Sequence, residues 1–545
     1  MATAHYDVII IGGGINGAAT AAAVAARGYR SLVLEQDDFA AGTTSASTKL
    51  IHGGLRYLET GDARLVHESL QSRERLLRER PHLVRPMGFI LPVYDGDPRP
   101  PWYIRSGLAL YDLLSPRKVS PWHSSFSERE LQRFEPSIST DHLKAAFLYH
   151  DAQVWSPERL TLEYLAAARA SGADLRNHSA VDFIIVDGGR ARGVDFHDVL
   201  TGRRSTASGR LVVNAAGPWV DAVLDATGRS MRRRIGGTRG SHLVVDLSGR
   251  GPKHAVLASA QSDGRPMFVT PWLDHHIIGT TDVRDDEDPS DVRAAGWEID
   301  YLIAEAARVL PGLGIEHRNV LYAYSGVRPL ARAGDGVFEG AISRRSIIAD
   351  HASEGVERLI SVVGGKLTTA AELGRQVAES VAQQIGRPRA RGIAALPETP
   401  TSRAVFLPPP TQEHLRTVYG PRVPEVAAYA ASDASLAEPI SAQHRDIGAQ
   451  VAYAVEHEGA RTVADVLLRR TAVGLTRDLG RSAARPTAAI MASRLGWSED
   501  EREQAVRDYF AELHRRFVII NPSISIPPAE RLPDDPDQGV DLAQS

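Results

Sequence analysis

The sequence contains no cysteine among its 545 residues. This absence excludes disulfide bonds, cysteine-bound zinc, iron–sulfur clusters, thiol catalysis and a flavin linked through cysteine. No apolar run approaches the ~20 residues that a membrane-spanning helix requires. The chain enters an apolar run almost at once (MATAHYDVIII), so we expect no signal peptide and a cytoplasmic or membrane-surface protein.

Lysine is scarce and accounts for only five of the 63 basic residues. Two of the five, Lys49 and Lys366, lie in glycine-bearing motifs. A compact ammonium differs from a planar guanidinium in reach and proton affinity, which suggests that chemistry requires lysine at these two positions. The net charge of −4 implies no general attraction to nucleic acid, and the length allows roughly three domains.

The first 35 residues show a strand–turn–helix–strand pattern. A buried parallel strand is predicted at residues 7–11, an alanine-rich helix at residues 15–27, and a second strand at residues 31–34 that ends at Glu35. The turn contains the three glycines of a GxGxxG pattern: Gly12, Gly14 and Gly17. Such glycines let backbone N–H groups and a helix N-terminus approach a pyrophosphate, and the acidic residue can accept a ribose hydroxyl. The pattern predicts a dinucleotide site.

Three further motifs contain residue types that bind cofactors and substrates. Residues 47–59 read STKLIHGGLRYLE, a basic segment interrupted by two glycines. A segment of this kind can contact a cofactor at one end and a substrate at the other. Residues 210–221 read RLVVNAAGPWVD, in which small residues at a strand end permit close approach of the backbone to a ligand. Residues 361–369 read SVVGGKLTT and lead into a helix. That helix N-terminus suits a flavin ring, whose N1–C2=O edge gains negative charge on reduction.

The rest of the chain divides into a strand-rich and a helical part. Residues 241–246, 267–272 and 276–282 are predicted to be strands of a second sheet. Prolines before and within residues 407–410 predict a linker. Helices are predicted beyond it at residues 423–431, 446–457, 462–475 and 498–516, the last with a capping box of Ser498 and Glu501.

Eight motifs in this order carry a family resemblance: GGGINGA, SASTKLIHGGLRYLE, RPPWYIRSGLALYDLL, NAAGPWVD, GSHLVV, IIGTTD, YSGVRPL and GGKLTT. Together they resemble the FAD-dependent glycerol-3-phosphate dehydrogenases that feed electrons to quinone. The resemblance is close over about residues 6–385 and looser to about residue 517. It does not extend to the acidic, proline-rich tail after residue 527.

The resemblance implies an α/β fold with three parts. These are a FAD domain of the two-dinucleotide-binding type, an interleaved substrate domain built on an antiparallel sheet, and a C-terminal helical domain. Within residues 1–395, FAD segments are expected at about 1–95, 145–230 and 320–395, and substrate-domain segments at about 96–144 and 231–319. A linker (396–410), a helical cap (411–526) and a loose acidic tail (527–545) should follow.

The resemblance also implies an activity. It predicts oxidation of sn-glycerol 3-phosphate to dihydroxyacetone phosphate by hydride transfer to a non-covalent FAD, which a membrane quinone reoxidises. Relatives that work with an iron–sulfur partner carry C-terminal cysteines, so the lack of cysteine favours the self-sufficient respiratory type. We expect a peripheral protein on the cytoplasmic face of the membrane, without a nucleic-acid partner, and a homodimer remains open. Residues 102–114 are one candidate for membrane contact, although a buried helix accounts equally well for their pattern.

Oxidising a secondary alcohol requires a hydride acceptor, a base for the hydroxyl proton and a binding site for the phosphate dianion. Candidates for the base are His52, His242 and Lys366, among which the sequence does not decide. The predicted phosphate ligands are Arg56, Tyr57, Thr280, Thr281 and Arg328. The predicted cofactor-binding residues are Gly12, Gly14, Ile15, Asn16, Gly17, Glu35, Thr44, Ser45, Ser47, Lys49, Leu50, Ala216, Gly217, Gly364, Gly365, Lys366, Leu367 and Thr368. No metal is predicted.

Other functions remain open at this point. A peroxide-forming glycerol-3-phosphate oxidase of the same fold would carry the same motifs. An amine or amino-acid oxidase would need a carboxylate-binding group in place of the phosphate ligands. A flavin-binding scaffold without catalysis belongs to a different class altogether. An NAD enzyme is disfavoured, because the NAAGPWVD and GGKLTT motifs suit a flavin better.

Overall fold

The computed structural model describes residues 4–521 and residue 524, apart from residues 60, 117, 286, 333–344 and 389–406. The predicted tail (527–545) and most of the predicted linker (396–410) therefore lie outside the described residues. The strands are β1 (Ala4–Ile11), β2 (Ser31–Leu34), β3 (Leu50–Ile51), β4 (Val84–Tyr94), β5 (Ser124–Phe126), β6 (Leu143–Val154), β7 (Asp174–Arg176), β8 (Ser179–Asp187), β9 (Arg190–Asp198), β10 (Arg204–Asn214), β11 (Thr238–Val245), β12 (Ala255–Ser259), β13 (Pro266–Trp272), β14 (His275–Gly279), β15 (Val283–Arg284), β16 (Val320–Arg328), β17 (Ile347–Asp350), β18 (Leu359–Val363) and β19 (Phe517–Ile519). The α-helices are α1 (Ile15–Ala26), α2 (Ala63–Glu79), α3 (Pro101–Leu113), α4 (Glu128–Phe134), α5 (Pro157–Ala170), α6 (Val220–Asp225), α7 (Gly296–Val309), α8 (Ala370–Ile385), α9 (Pro409–Tyr419), α10 (Val423–Ser432), α11 (Gly448–His457), α12 (Val463–Asp465), α13 (Arg481–Leu495) and α14 (Glu499–Arg516).

The first sheet is largely parallel and has the order β17-β18-β10-β1-β2-β7, with β9 beside β10 and β8 beside β9. In its centre, β1 lies parallel to both β10 and β2. The register places Ile11 opposite Asn214, so the chain leaves both strands at the same carboxyl edge. Ligands of open α/β sheets bind at this edge. The predicted strand–helix–strand unit is therefore confirmed as the centre of a doubly wound sheet.

Helices α1, α5 and α8 cover one face of the first sheet. Their small side chains and the Val and Ile side chains of the strands form one buried cluster. Gly374 of α8 lies so close to α1 that a Cβ atom there would be 2.5 Å from the carbonyl oxygen of Ala19. All four residues of β2 are buried, which explains why a strand covered on both faces has a continuous apolar sequence.

The second sheet is antiparallel except for the β4–β12 pair, as far as the described residues extend. Its order is β19-β16-β11-β14-β13-β12-β4-β6-β3, with β15 beside β11 and β5 beside β6. The three strands predicted from alternating apolar residues correspond to β11, β13 and β14. Helix α7 packs on one face of this sheet and the C-terminal helices pack on the other.

The sheets correct the expected division of the chain. Strands β4 and β16 and most of β6 lie in segments assigned to the FAD domain, yet they hydrogen-bond in the second sheet. Strand β3, within the STKLIHGGLRYLE segment, also joins the second sheet by pairing with β6. The sequence could not reveal this, because an apolar run has the same pattern whichever sheet its long-range hydrogen bonds complete.

The C-terminal part is helical, as predicted. Helix α14 begins with the predicted capping box, in which Ser498 Oγ accepts from the backbone N–H of Glu501. The prediction of one helix over residues 462–475 is wrong. Only α12 is α-helical there, followed by a π-helical turn at Val466–Arg470 and a 3₁₀ turn at Val473–Leu475. Within the described chain, no helix has both the length and the apolar character needed to traverse a bilayer.

Candidate active site

The turn between β1 and α1 requires glycine at two positions. Gly12 has φ +107°, and a Cβ atom there would be 2.6 Å from the carbonyl oxygen of Ala215. A Cβ atom on Gly17 would be only 1.9 Å from the carbonyl oxygen of Gly12. Because no side chain fits, the first turn of α1 lies directly against the ends of β1 and β10, as a pyrophosphate-binding turn requires.

Glu35 lies at the end of β2 beside this turn. Its carboxylate accepts hydrogen bonds from the backbone N–H of Gly13 at 2.6 Å and of Asp37 at 3.0 Å. Burial raises the pKa of Glu35 to about 7, although both hydrogen bonds act in the opposite direction. The predicted ribose acceptor is thus held by the glycine turn itself.

The N-terminus of α1 connects two motifs that are distant in sequence. The backbone N–H of Ile15 donates to Thr44 Oγ1 at 3.1 Å, and Asn16 Nδ2 donates to the carbonyl of Gly364 at 3.1 Å. Gly365 has φ +94°, and a Cβ atom there would be 2.6 Å from Asn16 Nδ2. The GGGINGA and GGKLTT motifs therefore meet Thr44, the residue before the SASTKL motif, at one point.

One cavity of about 340 Å³ passes through this meeting point. Its lining includes the following predicted cofactor-binding residues: Gly12, Gly14, Ile15, Asn16, Glu35, Thr44, Ser45, Ser47, Lys49, Ala216, Gly217, Gly365, Lys366 and Leu367. Gly17 and Leu50 do not line this cavity. Gly17 allows the tight turn beside it, and the Leu50 side chain is buried in a separate hydrophobic cluster. The Oδ1 atom of Asn16 is buried without a hydrogen-bond partner among the described residues. The glycine turn, the acidic residue and this buried acceptor fit a dinucleotide cofactor such as FAD.

Residues 43–49 run along the wall of the cavity and are fixed to β16. Thr43 Oγ1 donates to the carbonyl of Val327 at 2.7 Å, and Tyr324 Oη donates to the carbonyl of Ser47 at 2.9 Å. Lys49 is only 2% exposed, and its ammonium contacts Glu158 Oε1 at 3.4 Å. The Lys49 Nζ atom also lies 5.0 Å from the centre of the Trp272 ring. Lys49 is thus a buried, ion-paired part of the cavity wall.

His52 is bound to the second lysine motif. Its backbone N–H donates to Thr368 Oγ1 at 3.1 Å, and that hydroxyl lies 3.3 Å from the carbonyl oxygen of His52. The ammonium of Lys366 lies 3.8 Å from the centre of the Tyr57 ring. These contacts bring residues 52–57 and 366–368 together across about 310 positions of sequence.

The pKa of His52 is lowered from its ordinary value, chiefly because the ring is desolvated. The negative charge of Asp151 opposes this change, whereas the positive charges of Lys366 and Arg73 add to it. His52 is therefore a neutral imidazole at physiological pH, since its ordinary pKa is already about 6.5.

A buried hydrogen-bond network lies behind His52, and the sequence analysis missed it. The backbone N–H of Gly53 donates to Tyr111 Oη at 2.8 Å, and that hydroxyl donates to Asp151 Oδ2 at 2.8 Å. Arg73 pairs with Asp151 Oδ1 at 2.5 Å and also with Glu74. No local sequence motif indicates this network, because its members come from α2, α3 and β6.

Arg328, at the end of β16, is fixed by the loop that follows β14. Its guanidinium contacts Asp282 Oδ1 at 3.0 Å, Thr280 Oγ1 at 2.8 Å and the carbonyl of Thr281 at 3.1 Å. The structure thus brings the predicted residues Arg328 and Thr280 together. Thr281 faces elsewhere, since its hydroxyl donates to buried Glu298 at 2.7 Å and accepts from the N–H of Ser241 at 2.8 Å. Arg56 lies in the short 3₁₀ helix Leu55–Leu58, and its role as a phosphate ligand stays a prediction.

His242 is buried in the second sheet and is less suited to be a base than His52. Its Nε2 atom lies 2.8 Å from Thr48 Oγ1, and its ring stacks on Tyr324 with centroids 4.9 Å apart. Burial lowers the pKa of His242 to about 3, and the charges of Arg328 and Lys49 add to this effect. A group with so low a pKa has little affinity for a proton.

The C-terminal domain contributes residues that the sequence analysis did not predict. Arg469, Arg516 and Phe517 line the cavity. Arg469 and Arg470 are both buried and pair with Asp38. Asp38, His178 and Asp465 form a cluster with metal-ligand spacing. The two guanidinium groups beside these carboxylates already supply the compensating charge.

Comparison with known proteins agrees with this geometry. The family pattern described as FAD dependent oxidoreductase matches residues 7–380, and the pattern for the C-terminal domain of alpha-glycerophosphate oxidase matches residues 359–502. A glycerol-3-phosphate dehydrogenase of Synechocystis sp. is 39% identical over 537 residues, covering 94% of this chain and 97% of the relative. A D-erythritol 1-phosphate dehydrogenase of Brucella abortus is 34% identical over 483 residues, covering 85% of this chain and 94% of the relative.

A solved structure has the same fold over almost the whole chain. The glycerol-3-phosphate dehydrogenase of Bacillus halodurans, complexed with FAD, superposes with a TM-score of 0.72 at 27% identity, covering 94% of this chain and 95% of that one. The fold and the cavity therefore define an FAD-dependent oxidoreductase. More narrowly, the chain belongs to the glycerol-3-phosphate dehydrogenase family.

Proposed function

We propose that this enzyme oxidises sn-glycerol 3-phosphate to dihydroxyacetone phosphate with FAD as hydride acceptor, and that a membrane quinone takes the electrons. The observation that best supports the proposal is the bonding of the His52 segment to Thr368, beside the cofactor cavity and near Lys366. The names of the relatives supply the choice of substrate.

His52 is the proposed base. When bound, FAD supplies the acceptor for the hydride that leaves the carbinol carbon of the substrate. The neutral imidazole of His52 takes the proton of the substrate hydroxyl, and its depressed pKa keeps it in the accepting form. The hydrogen bonds between the His52 backbone and Thr368 hold the ring near Lys366, whose positive charge stabilises the developing alkoxide.

Arg328 is the proposed main ligand of the substrate phosphate. A guanidinium presents several N–H donors to a dianion, and Asp282 and Thr280 orient this one. Arg56 and Tyr57 are proposed to complete the phosphate site from the opposite segment. Thr281 is not retained in this role, because its hydroxyl is committed to Glu298 and Ser241.

The decisive experiment is anaerobic mixing of the FAD-loaded enzyme with glycerol 3-phosphate. We expect the flavin absorbance to bleach in a single turnover, whereas glycerol without phosphate leaves it unchanged. D-erythritol 1-phosphate serves as the competing substrate, since one relative carries that name. Persistent yellow colour with glycerol 3-phosphate would contradict the proposal and favour a flavin-binding scaffold. Bleaching by the erythritol ester alone would reassign the substrate.

A peroxide-forming oxidase is the second candidate, and the match to the C-terminal domain of alpha-glycerophosphate oxidase favours it. The two functions differ in the electron acceptor. Under air and without quinone, an oxidase releases one peroxide for each molecule of substrate. We expect little peroxide and rapid turnover only when a soluble quinone analogue is added.

A further inference from the structure

A buried carboxylate, that of Glu298, lies between the first turn of α7 and the second sheet. Its Oε1 atom accepts hydrogen bonds from Ser241 Oγ at 2.9 Å and from Thr281 Oγ1 at 2.7 Å. Its Oε2 atom accepts from the backbone N–H of Ala295 at 3.0 Å and lies 3.1 Å from Arg239 Nε. Donors and a positive charge of this kind offset the cost of burying a carboxylate, so the position of Glu298 is well defined.

Thr281 links this carboxylate to Arg328. The Thr281 hydroxyl donates to Glu298 and accepts from a backbone N–H of β11 at 2.8 Å, so two partners fix its orientation. The carbonyl oxygen of the same residue accepts from Arg328 Nη2 at 3.1 Å. The residues on either side of it, Thr280 and Asp282, contact the guanidinium at 2.8 Å and 3.0 Å. The three residues that orient Arg328 are therefore consecutive, and the middle one is held by Glu298.

The strand beside Arg328 is held by the same carboxylate. Gly240 of β11 lies against the guanidinium, because a Cβ atom there would be 2.2 Å from Arg328 Nη2. The next residue, Ser241, donates to Glu298, and its Oγ atom lies 2.7 Å from Ser325 Oγ of β16. Glu298 thus binds both the loop that contacts the guanidinium and the strand on which it lies.

We propose that Glu298 is a positioning residue for Arg328 and acts through the hydroxyl and carbonyl groups of Thr281. A guanidinium binds a phosphate well only when its N–H groups are held at the right distance and angle, which supporting hydrogen bonds secure. Glu298 itself does not line the cofactor cavity. The inference rests on the proposed function and adds that α7, from outside the cavity, sets the affinity for the substrate phosphate.

The first test compares Thr281→Val with Thr281→Ser in the FAD-loaded full chain. Valine matches the shape of threonine but has no hydroxyl, whereas serine keeps the hydroxyl. We expect KM for glycerol 3-phosphate to rise about tenfold in Thr281→Val and to stay within about twofold of its original value in Thr281→Ser. The rate of flavin reduction at saturating substrate should change little in either variant. Single-turnover absorbance, measured over a range of substrate concentrations, gives both quantities.

The second test is Glu298→Gln, which removes the charge, keeps the size and still allows the helix to be capped. Its KM should rise as in Thr281→Val. Glu305→Gln is the matched control on the same helix, because Glu305 is also buried and accepts from the N–H groups of Gln261 and Ser262 at 2.9 Å and 3.1 Å. None of the hydrogen bonds described for Glu305 is to residues 280–282. Both variants should lower the melting temperature, but only Glu298→Gln should raise KM.

Combination with Arg328→Ala separates positioning from direct contact with the phosphate. If Thr281 acts through Arg328, adding Thr281→Val to Arg328→Ala should leave KM at the value that Arg328→Ala alone produces. A further rise in the double variant would make Thr281 a direct ligand and would overturn the inference. An equal rise of KM in Glu305→Gln would do the same, since it would reduce the effect to general loss of stability.

The remaining outcomes distinguish the inference from the proposed function. Unchanged KM in both Thr281→Val and Glu298→Gln, with flavin bound, would overturn the positioning role alone. Unchanged KM in Arg328→Ala would contradict the phosphate assignment. Absence of bleaching in the unaltered enzyme would contradict the proposed function and the inference together. If Thr281→Val loses its flavin, the comparison of Glu298→Gln with Glu305→Gln decides the question.

Discussion

The two ends of the active site are built in different ways. At the nucleotide end, the chain between residues 12 and 49 supplies a larger share of the cavity wall than any other described stretch, and backbone geometry sets its shape. At the proposed catalytic end, His52, Tyr111, Asp151, Arg328 and Lys366 come from distant parts of the chain, and hydrogen bonds and nearby charges set their properties. Adding a single methyl group should therefore disturb the nucleotide end, whereas removing a single charge should disturb the proposed catalytic end.

The largest effect is expected at the nucleotide end from Gly17→Ala. The new methyl group would lie 1.9 Å from the carbonyl oxygen of Gly12, so α1 must move away from the turn. Overpacking of this kind costs ~1–3 kcal/mol, and more where backbone must shift. We expect loss of flavin on gel filtration and a lower melting temperature. The control Gly296→Ala, where a Cβ atom meets nothing within 4 Å, should keep both. Normal flavin content in Gly17→Ala would disprove the steric account.

The next effect is expected at the catalytic end from His52→Ala. Loss of a general base should slow flavin reduction by ~100-fold or more, while the flavin stays bound. Single-turnover stopped-flow absorbance measures this step directly. His317→Ala serves as control, because His317 is exposed and pairs only with Asp300 among its described contacts. An unchanged rate in His52→Ala would remove His52 as the base and return the choice to Lys366.

Arg328→Ala should weaken substrate binding more than it slows chemistry. Loss of a charged hydrogen-bonding partner costs ~1.5–3 kcal/mol, which corresponds to a roughly 10- to 100-fold rise in KM. Arg328→Lys keeps the charge but loses the planar fork, so it should restore part of the affinity. Arg318→Ala, an exposed pair with Glu316, is the control. If KM and kcat both stayed at their original values, Arg328 would not bind the phosphate.

The smallest effect is a shift of pH dependence in Asp151→Asn. Asp151 raises the pKa of His52, so removing its charge lowers that pKa further. A base must be unprotonated, and activity therefore falls as pH drops through its pKa. The acid limb of the kcat/KM profile should move to lower pH. Tyr111→Phe, which keeps the carboxylate, should leave the limb in place. Movement of the limb to higher pH would contradict the electrostatic role of Asp151.

The sequence predicted more of the nucleotide end than of the proposed catalytic end, because local backbone geometry shapes the first and long-range contacts shape the second. Gly12 and Glu35 were predicted from short-range backbone rules, and both line one cavity with Thr44, while their cofactor-binding role stays a prediction. The contact between the His52 and Lys366 segments appears only in the structure, where the His52 backbone N–H donates to Thr368. Thr281 was predicted to bind the substrate phosphate, yet its hydroxyl donates a hydrogen bond to Glu298. A motif shows which residue is present but not where its side chain points.

Residues that the sequence analysis missed belong to long-range contacts. Arg469 was predicted only as part of a helix over residues 462–475, yet a π-helical turn buries it against Asp38, 431 positions earlier. Tyr111 looked like one apolar residue of α3, yet its hydroxyl holds Gly53 and Asp151. A buried polar group needs a partner, but local sequence does not tell which partner the fold will supply.

The sequence by itself determined the parallel βαβ unit, the glycine turn and the acidic end of β2, because sterics and hydrogen bonding within about 35 residues leave the chain no alternative. It also excluded all cysteine chemistry. Only the tertiary structure decided which sheet β4, β6 and β16 join and which histidine meets Lys366. Those outcomes depend on pairing and burial between elements that are hundreds of residues apart, where the free energy of packing rather than local propensity selects the arrangement.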